Sequence, residues 1–71
     1  MAWSEYEIGG KVEWTDPLNK TGVRVYRGSS SVSFNFGRKA SSFTWEGNKL
    51  KISFPDGEIR LYSNSRDYVK V

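Results

Sequence analysis

The residues of this sequence that could do chemistry are hydroxyls, carboxylates and cations. The 71-residue chain contains no histidine and no cysteine. It therefore lacks the usual general base near neutral pH, thiolate nucleophiles and the commonest metal ligand. Its ten serines fall on predicted loops and outer strand faces, and Asp16, Asp56 and Asp67 fall in predicted turns, where aspartate bonds its own backbone. We expect no enzymatic activity, no metal and no cofactor.

What is left is a set of cations interleaved with tyrosines. Strand alternation predicts that most of them point outward, beside two loop residues: Arg24, Tyr26, Lys49, Lys51, Arg60, Tyr62, Tyr68 and Lys70 on strands, with Arg38 and Lys39 in the loop 37–41. Cations of this kind follow the phosphates of single-stranded nucleic acid, and rings stack on its bases. The first hypothesis is therefore a single-stranded nucleic-acid binder. In it the lysines and Arg60 contact phosphates, the tyrosines stack, and Arg24 does either.

Two carboxylates on the same predicted face oppose this hypothesis. Glu46 and Glu58 share the outward parity, so we expect them to pair with Lys49 and Arg60 and to dilute the positive field. Tyrosine, lysine and arginine are also common on ordinary exposed sheet faces, where cross-strand pairs stabilise the sheet. A plain solvated surface is therefore an open alternative.

A second hypothesis rests on the N-terminal segment. Trp3, Glu5 and Glu7 share one parity of a predicted strand over residues 3–8, which would expose Trp3 near a sheet edge. Exposed tryptophans are typical interface anchors, and an edge strand can accept a strand from a partner. This pattern predicts a protein-binding module with a regulatory, inhibitory or assembly role, with a homodimer as one form.

The charges are unevenly distributed along the chain. Residues 1–16 contain one base and four acids, a net charge of −3, whereas residues 17–71 contain ten bases and four acids, a net charge of +6. The total of +3 is modest, but the asymmetry favours an anionic partner for the larger part.

The elements that must position these side chains are short strands. Turn signals recur every eight to twelve residues, as in hairpin-rich all-β domains, and no stretch has a sustained helical period. We predict seven or eight strands, with Gly47-Asn48 and Pro55-Asp56-Gly57 among the tight turns: 3–8, 11–15, 23–27, 31–36, 42–46, 49–54, 58–63 and 68–71. At this length the chain 1–71 is a single domain.

Each predicted strand has one apolar face. The expected core is Ile8, Val12, Trp14, Val23, Val25, Val32, Phe34, Phe36, Phe43, Trp45, Leu50, Ile52, Phe54, Ile59, Leu61, Val69 and Val71. A curled sheet can cover such faces with itself, so we predict a small all-β antiparallel barrel; a sandwich and a dimer of open sheets are the alternatives.

The stretch Gly-Lys-Val-Glu-Trp over 10–14 resembles the opening of bacterial cold-shock domains, and residues 20–25, 31–36 and 46–54 are loosely similar to later strands of that family. The resemblance implies a small OB-type barrel. It also implies stacking aromatics on the second and third strands, where this chain instead has Val23, Arg24 and Val25 and then Ser33 and Asn35. Trp14 and Phe36 could still belong to such a stacking surface, but strand parity predicts that both are buried.

The sequence contains no signal for a membrane. No segment approaches the ~18 apolar residues of a spanning helix, and residues 1–10 lack the basic start and apolar run of a signal peptide. We therefore expect a soluble, cytoplasmic protein.

Overall fold

The computed structural model describes residues 9–71 as seven strands. They are β1 (Val12–Trp14), β2 (Gly22–Arg27), β3 (Ser30–Asn35), β4 (Ser42–Glu46), β5 (Lys49–Ser53), β6 (Ile59–Tyr62) and β7 (Tyr68–Lys70). The all-β prediction is confirmed, with strand ends shifted by one or two residues. The predicted strand over 3–8, with Ile8, Trp3, Glu5 and Glu7, lies outside the described residues.

The strands form two antiparallel sheets. The first sheet has the order β1-β2-β3 and the second has the order β4-β5-β6-β7. Across residues 9–71 no ladder joins the two sheets, so the closed barrel expected from the apolar faces and from the cold-shock resemblance is not found. This part of the chain also contains no helix that could cross a membrane.

Aromatic rings connect the two sheets across the core. The ring of Trp14 on β1 lies 4.8 Å from that of Phe43 on β4, and the ring of Phe34 on β3 lies 5.6 Å from that of Tyr62 on β6. The buried hydrophobic residues are Val23, Val25, Phe34, Phe36, Ala40, Leu50, Ile52, Phe54 and Tyr62. All of these except Ala40 and Tyr62 belong to the predicted core. The sheets thus pack face to face, and we call the facing sides inner and the others outer.

The turn after β5 sets the parity of β6. The backbone N–H of Phe54 donates to the carbonyl of Glu58 at 2.9 Å, which leaves the three residues 55–57 in the loop. The ladder then pairs Ile52 with Arg60 and continues in the same register. Paired residues of antiparallel strands project to the same face. Arg60 therefore shares the inner face with Ile52.

The predicted placement of four aliphatic residues is wrong for this reason. Ile59 and Leu61 alternate with Arg60, so they lie on the outer face and are half-buried rather than core. Val69 pairs with Leu61 and is 60% exposed, and Val71 is 79% exposed. Conversely Tyr62, which was expected to point outward, is buried at 3% exposure because it pairs with the core residue Leu50.

Candidate nucleic-acid interface

The ten predicted contact residues do not form one surface. Arg24 and Tyr26 lie on the outer face of the first sheet, and Lys49 and Lys51 lie on the outer face of the second. Lys39 lies in an exposed loop. The other five lie around Glu58: Arg38, Arg60, Tyr62, Tyr68 and Lys70. The separation follows from the two-sheet packing, which puts the outer faces on opposite sides of the core.

On the first sheet, the Glu13 carboxylate contacts both candidate residues, Arg24 and Tyr26. The Tyr26 hydroxyl donates to Glu13 Oε1, and Arg24 Nη1 lies 3.4 Å from the same oxygen. The hydrogen bond from Tyr26, helped by the charges of Lys11 and Arg24, lowers the pKa of Glu13. This carboxylate is therefore ionised near neutral pH and opposes binding of an anion here.

On the second sheet, the outer face offers free cations without a ring. Lys51 lies between Thr44 and Leu61 in the ladder, and Lys49 lies opposite Glu46. Neither lysine has an ion pair within residues 9–71, so the expected bridge from Glu46 to Lys49 is not formed in that range. These lysines can attract phosphates, but the outer face of this sheet, as far as residues 9–71 form it, has no aromatic side chain to hold a base.

The largest group of predicted residues surrounds one carboxylate. Glu58 Oε1 lies 2.6 Å from Arg38 Nη1, and Glu58 Oε2 lies 2.7 Å from Arg60 Nε and 3.7 Å from Lys70 Nζ. The hydrogen bond from Arg60 and the charges of all three cations lower the pKa of Glu58, against the opposing effect of burial. The expected Glu58–Arg60 pair is formed, but the predicted outward face is wrong, because Arg60 lies opposite Ile52 and Glu58 opposite Phe54 on the inner face. We call Arg38, Phe54, Glu58, Arg60, Tyr62, Tyr68 and Lys70 the Glu58 cluster.

The cations of the Glu58 cluster alternate with aromatic rings. The guanidinium carbon of Arg60 lies 4.6 Å from the ring centre of Phe54 and 4.5 Å from that of Tyr68. Arg38 lies 4.6 Å from the Phe54 ring centre. Desolvated contacts between guanidinium groups and rings are attractive because the ring face is negative. They hold Arg60 against the core, where its side chain is only 11% exposed.

Tyr62 anchors this column from inside. Its hydroxyl accepts a hydrogen bond from Arg60 Nη1 at 3.0 Å, and Arg60 Nη1 also lies 3.4 Å from the Phe36 carbonyl. Burial raises the pKa of the Tyr62 phenol, since the phenolate would lose its hydration. The pKa of Arg60 is raised because Glu58 and Tyr62 outweigh the effect of burial. Tyr62 is thus a structural phenol with no face available for a base.

Three residues of the Glu58 cluster, Arg38, Tyr68 and Lys70, are accessible to solvent, and we call them its rim. Tyr68 is 38% exposed, and the side chains of Lys70 and Arg38 are 66% and 36% exposed. Asp56 pairs with Arg38 at 3.1 Å. The cations Arg38, Arg60 and Lys70 outnumber the two carboxylates, so the rim keeps a positive excess.

Sequence reasoning missed two parts of this site. Strand alternation predicts Phe54 only as a core residue, although its ring also contacts two guanidinium groups. The sequence predicts Glu58 only as a partner of Arg60, whereas Glu58 is the centre of three ion pairs. Counting the three residues of the turn 55–57 places Glu58 opposite Phe54 and on the same face as Arg60.

Compared with models of known protein families, with curated proteins and with solved structures, the chain shows no match. Within the part of the chain that the structure describes, no three carboxylates lie together in a way that could hold a metal ion. The Glu58 cluster and the exposed faces of the second sheet are therefore the candidate functional surfaces.

Proposed function

We propose that this chain is a non-enzymatic module that binds single-stranded nucleic acid in the cytoplasm. The observation that carries the proposal is the rim of the Glu58 cluster, where the exposed ring of Tyr68 stacks on Arg60 and lies beside Lys70. A base can extend this alternation of rings and cations, and stacking on an aromatic side chain is worth about 1–3 kcal/mol per base.

The phosphate contacts in this proposal come from the exposed cations of the rim. Lys70, Arg38 and the adjacent loop residue Lys39 can follow a backbone that passes over Tyr68. Arg60 and Tyr62 support the platform from below, because both are held by hydrogen bonds inside it. Of the remaining predicted residues, Lys49 and Lys51 add long-range attraction from the basic segment 17–71, whereas Arg24 and Tyr26 contact the Glu13 carboxylate.

A salt titration with a labelled single-stranded oligonucleotide tests this function. Three phosphate contacts predict that log K falls with log salt with a slope of about −2, at about −0.7 per contact. Lys70→Gln should reduce that slope by about 0.7, whereas the matched control Lys49→Gln, on the opposite face, should leave it nearly unchanged. No binding at low salt, or equal effects of the two variants, would contradict the proposal.

An unexpected surface supports a second candidate function, the binding of a protein. Ile59, Leu61, Val69 and Val71 form an aliphatic patch on the outer face of β6 and β7, and its two valines are largely exposed. Apolar side chains grouped on a surface are typical of interaction sites. Trp3, Glu5 and Glu7 stay proposed parts of such an interface and lie outside the described residues.

Affinity capture from a cell extract tests the second candidate. Val69→Asp should lose a partner that the native chain retains, because a carboxylate cannot be buried unpaired in an apolar interface. Leu18→Asp is the matched control, since Leu18 is 85% exposed in a turn away from the patch. Equal capture by the native chain and by both variants would argue against the aliphatic patch as a site for a tightly bound partner protein.

A further inference from the structure

Strand β7 is an edge strand of the second sheet, as residues 9–71 form it. Its only ladder within residues 9–71 is the one with β6, and all three of its residues are exposed. The contact between Trp14 and Phe43 places β1 over β4, and the contact between Phe34 and Tyr62 places β3 over β6. The three strands of the first sheet therefore end above β6, and β7 extends beyond them.

The hydrogen-bond pattern shows which backbone groups face the open edge. Ser63 N–H donates to the Asp67 carbonyl, and Val71 N–H donates to the Ile59 carbonyl. Hydrogen-bonded and non-hydrogen-bonded pairs alternate along an antiparallel ladder. Val69 is therefore hydrogen-bonded to β6. The N–H and carbonyl groups of Tyr68 and Lys70 point away from it.

We propose that this edge pairs with β7 of a second copy of the chain, in an antiparallel arrangement centred on Val69. In this register Tyr68 lies opposite the partner's Lys70, and Val69 lies opposite the partner's Val69. Every outward N–H and carbonyl of Tyr68 and Lys70 then meets its complement in the other copy. Centring the pair on Tyr68 or on Lys70 instead leaves part of these groups outside the ladder.

The side chains fit the same register on both faces. On the outer face, Val69 and the partner's Val69 form a non-hydrogen-bonded pair, where side chains approach most closely. The aliphatic patches of the two copies thereby become continuous. On the inner face, Tyr68 meets the ammonium group of the partner's Lys70, a favourable contact between a ring and a cation.

The inference rests on the second candidate function and names its partner, and it does not require nucleic-acid binding. It also brings the rims of two Glu58 clusters together, so that the partner's Lys70 extends the proposed phosphate-binding surface. The interface is small, and two copies of net charge +3 repel each other. We therefore expect a transient dimer that forms at ~0.1–1 mM and strengthens with salt, because salt screens the repulsion.

Disulfide trapping tests the register without interference, because the chain has no cysteine of its own. In Val69→Cys the two thiols face each other across the axis. In the matched control Val71→Cys they are about 13 Å apart along the strands. Val71 is the more exposed of the two, so random collisions would favour the control. We expect dimers of Val69→Cys to form at least about tenfold faster, and equal rates or faster trapping of Val71→Cys would overturn the proposal.

Sedimentation of the native chain supplies the measurement that does not depend on a variant. We expect the weight-average mass to rise toward that of a dimer as the concentration approaches ~1 mM. Val69→Asp should abolish the rise while Leu18→Asp retains it. A native chain that stays monomeric up to that concentration would overturn the proposal. The oligonucleotide titration would be unaffected by that result, because it is performed on dilute protein.

Discussion

At the scale of single residues, Glu58 organises the candidate site. Among the carboxylates of residues 9–71, it is the one that contacts Arg38, Arg60 and Lys70 together. The sequence predicts its pairing with Arg60 because residues two apart on a strand share a face. Nothing local predicts Arg38, which reaches Glu58 from the loop after β3. The same carboxylate that orders these cations also reduces their attraction for phosphate.

The lowered pKa of Glu58 predicts how the stability of the fold changes in acid. Its folded-state pKa lies below the ordinary value of 4.5, so ionised Glu58 adds stability that is fully present above that pH. This stability is lost as the pH falls through the lowered pKa. Glu58→Gln should therefore melt at a lower temperature than the native chain near pH 7, and the difference should shrink as the pH falls below 4.5 and through the lowered pKa of Glu58.

Thermal unfolding followed by circular dichroism at several pH values checks this expectation. Glu46→Gln is the matched control, because Glu46 is exposed on β4 and has no ion pair within residues 9–71. Its melting curve should follow that of the native chain throughout. A difference between native and Glu58→Gln that stays constant with pH would mean that Glu58 acts through packing rather than through its charge.

At the scale of elements, a single turn decides which face of β6 is buried. The segment 55–57 contains the expected turn residues, and its location is confirmed. An odd number of loop residues preserves parity across a hairpin, which directs Arg60 and Tyr62 inward. Hydrophobicity alone predicts the opposite, because Ile59 and Leu61 are the more apolar pair. The ladder enforces the register of the whole strand, so two aliphatic side chains are left on the outer face.

The pairing of β2 with β3 also explains why position 22 is a glycine. In the turn before β2, the positive φ is found at Lys20 and not at Gly22. Gly22 instead lies where the backbone of β3 comes close to β2. A Cβ built there would be 2.2 Å from the Phe34 carbonyl oxygen and 3.2 Å from Thr15 Oγ1.

We expect Gly22→Ala to destabilise the fold by about 1–3 kcal/mol, because the neighbouring backbone must move to admit the methyl group. Ser33→Ala, on the exposed outer face of β3, is the control and should change stability by less than about 0.5 kcal/mol. Urea unfolding measures both differences. A Gly22→Ala variant as stable as the native chain would show that β2 and β3 can separate at this point without cost.

At the scale of the whole molecule, two stacked sheets of unequal width explain the distribution of the candidate residues. A closed barrel would present one continuous outer surface, whereas two sheets present separate faces and open edges. As residues 9–71 form them, the second sheet is wider by one strand. This extra strand exposes Tyr68 and Lys70 on its inner side and Val69 on its outer side. Both proposed binding surfaces therefore meet at β7.

The amino-acid sequence is sufficient to predict the all-β class, most strand positions, the tight turns and the central core residues such as Val23, Phe34 and Leu50. These features follow from local alternation and turn chemistry, which act over a few residues. The sequence also determined the supply of cations and tyrosines. It could not determine which of them lie together.

Three features are seen only in the tertiary structure: Tyr62 is buried, Ile59 and Leu61 face outward, and the sheets do not close within residues 9–71. These outcomes depend on ladder register and on the stacking of the two sheets, which couple residues far apart in the chain. A side chain's face is fixed by its partner strand, not by its own hydropathy. Arg60 lies on the inner face because Ile52 does, and Phe54, Glu58 and Tyr62 satisfy its charge there.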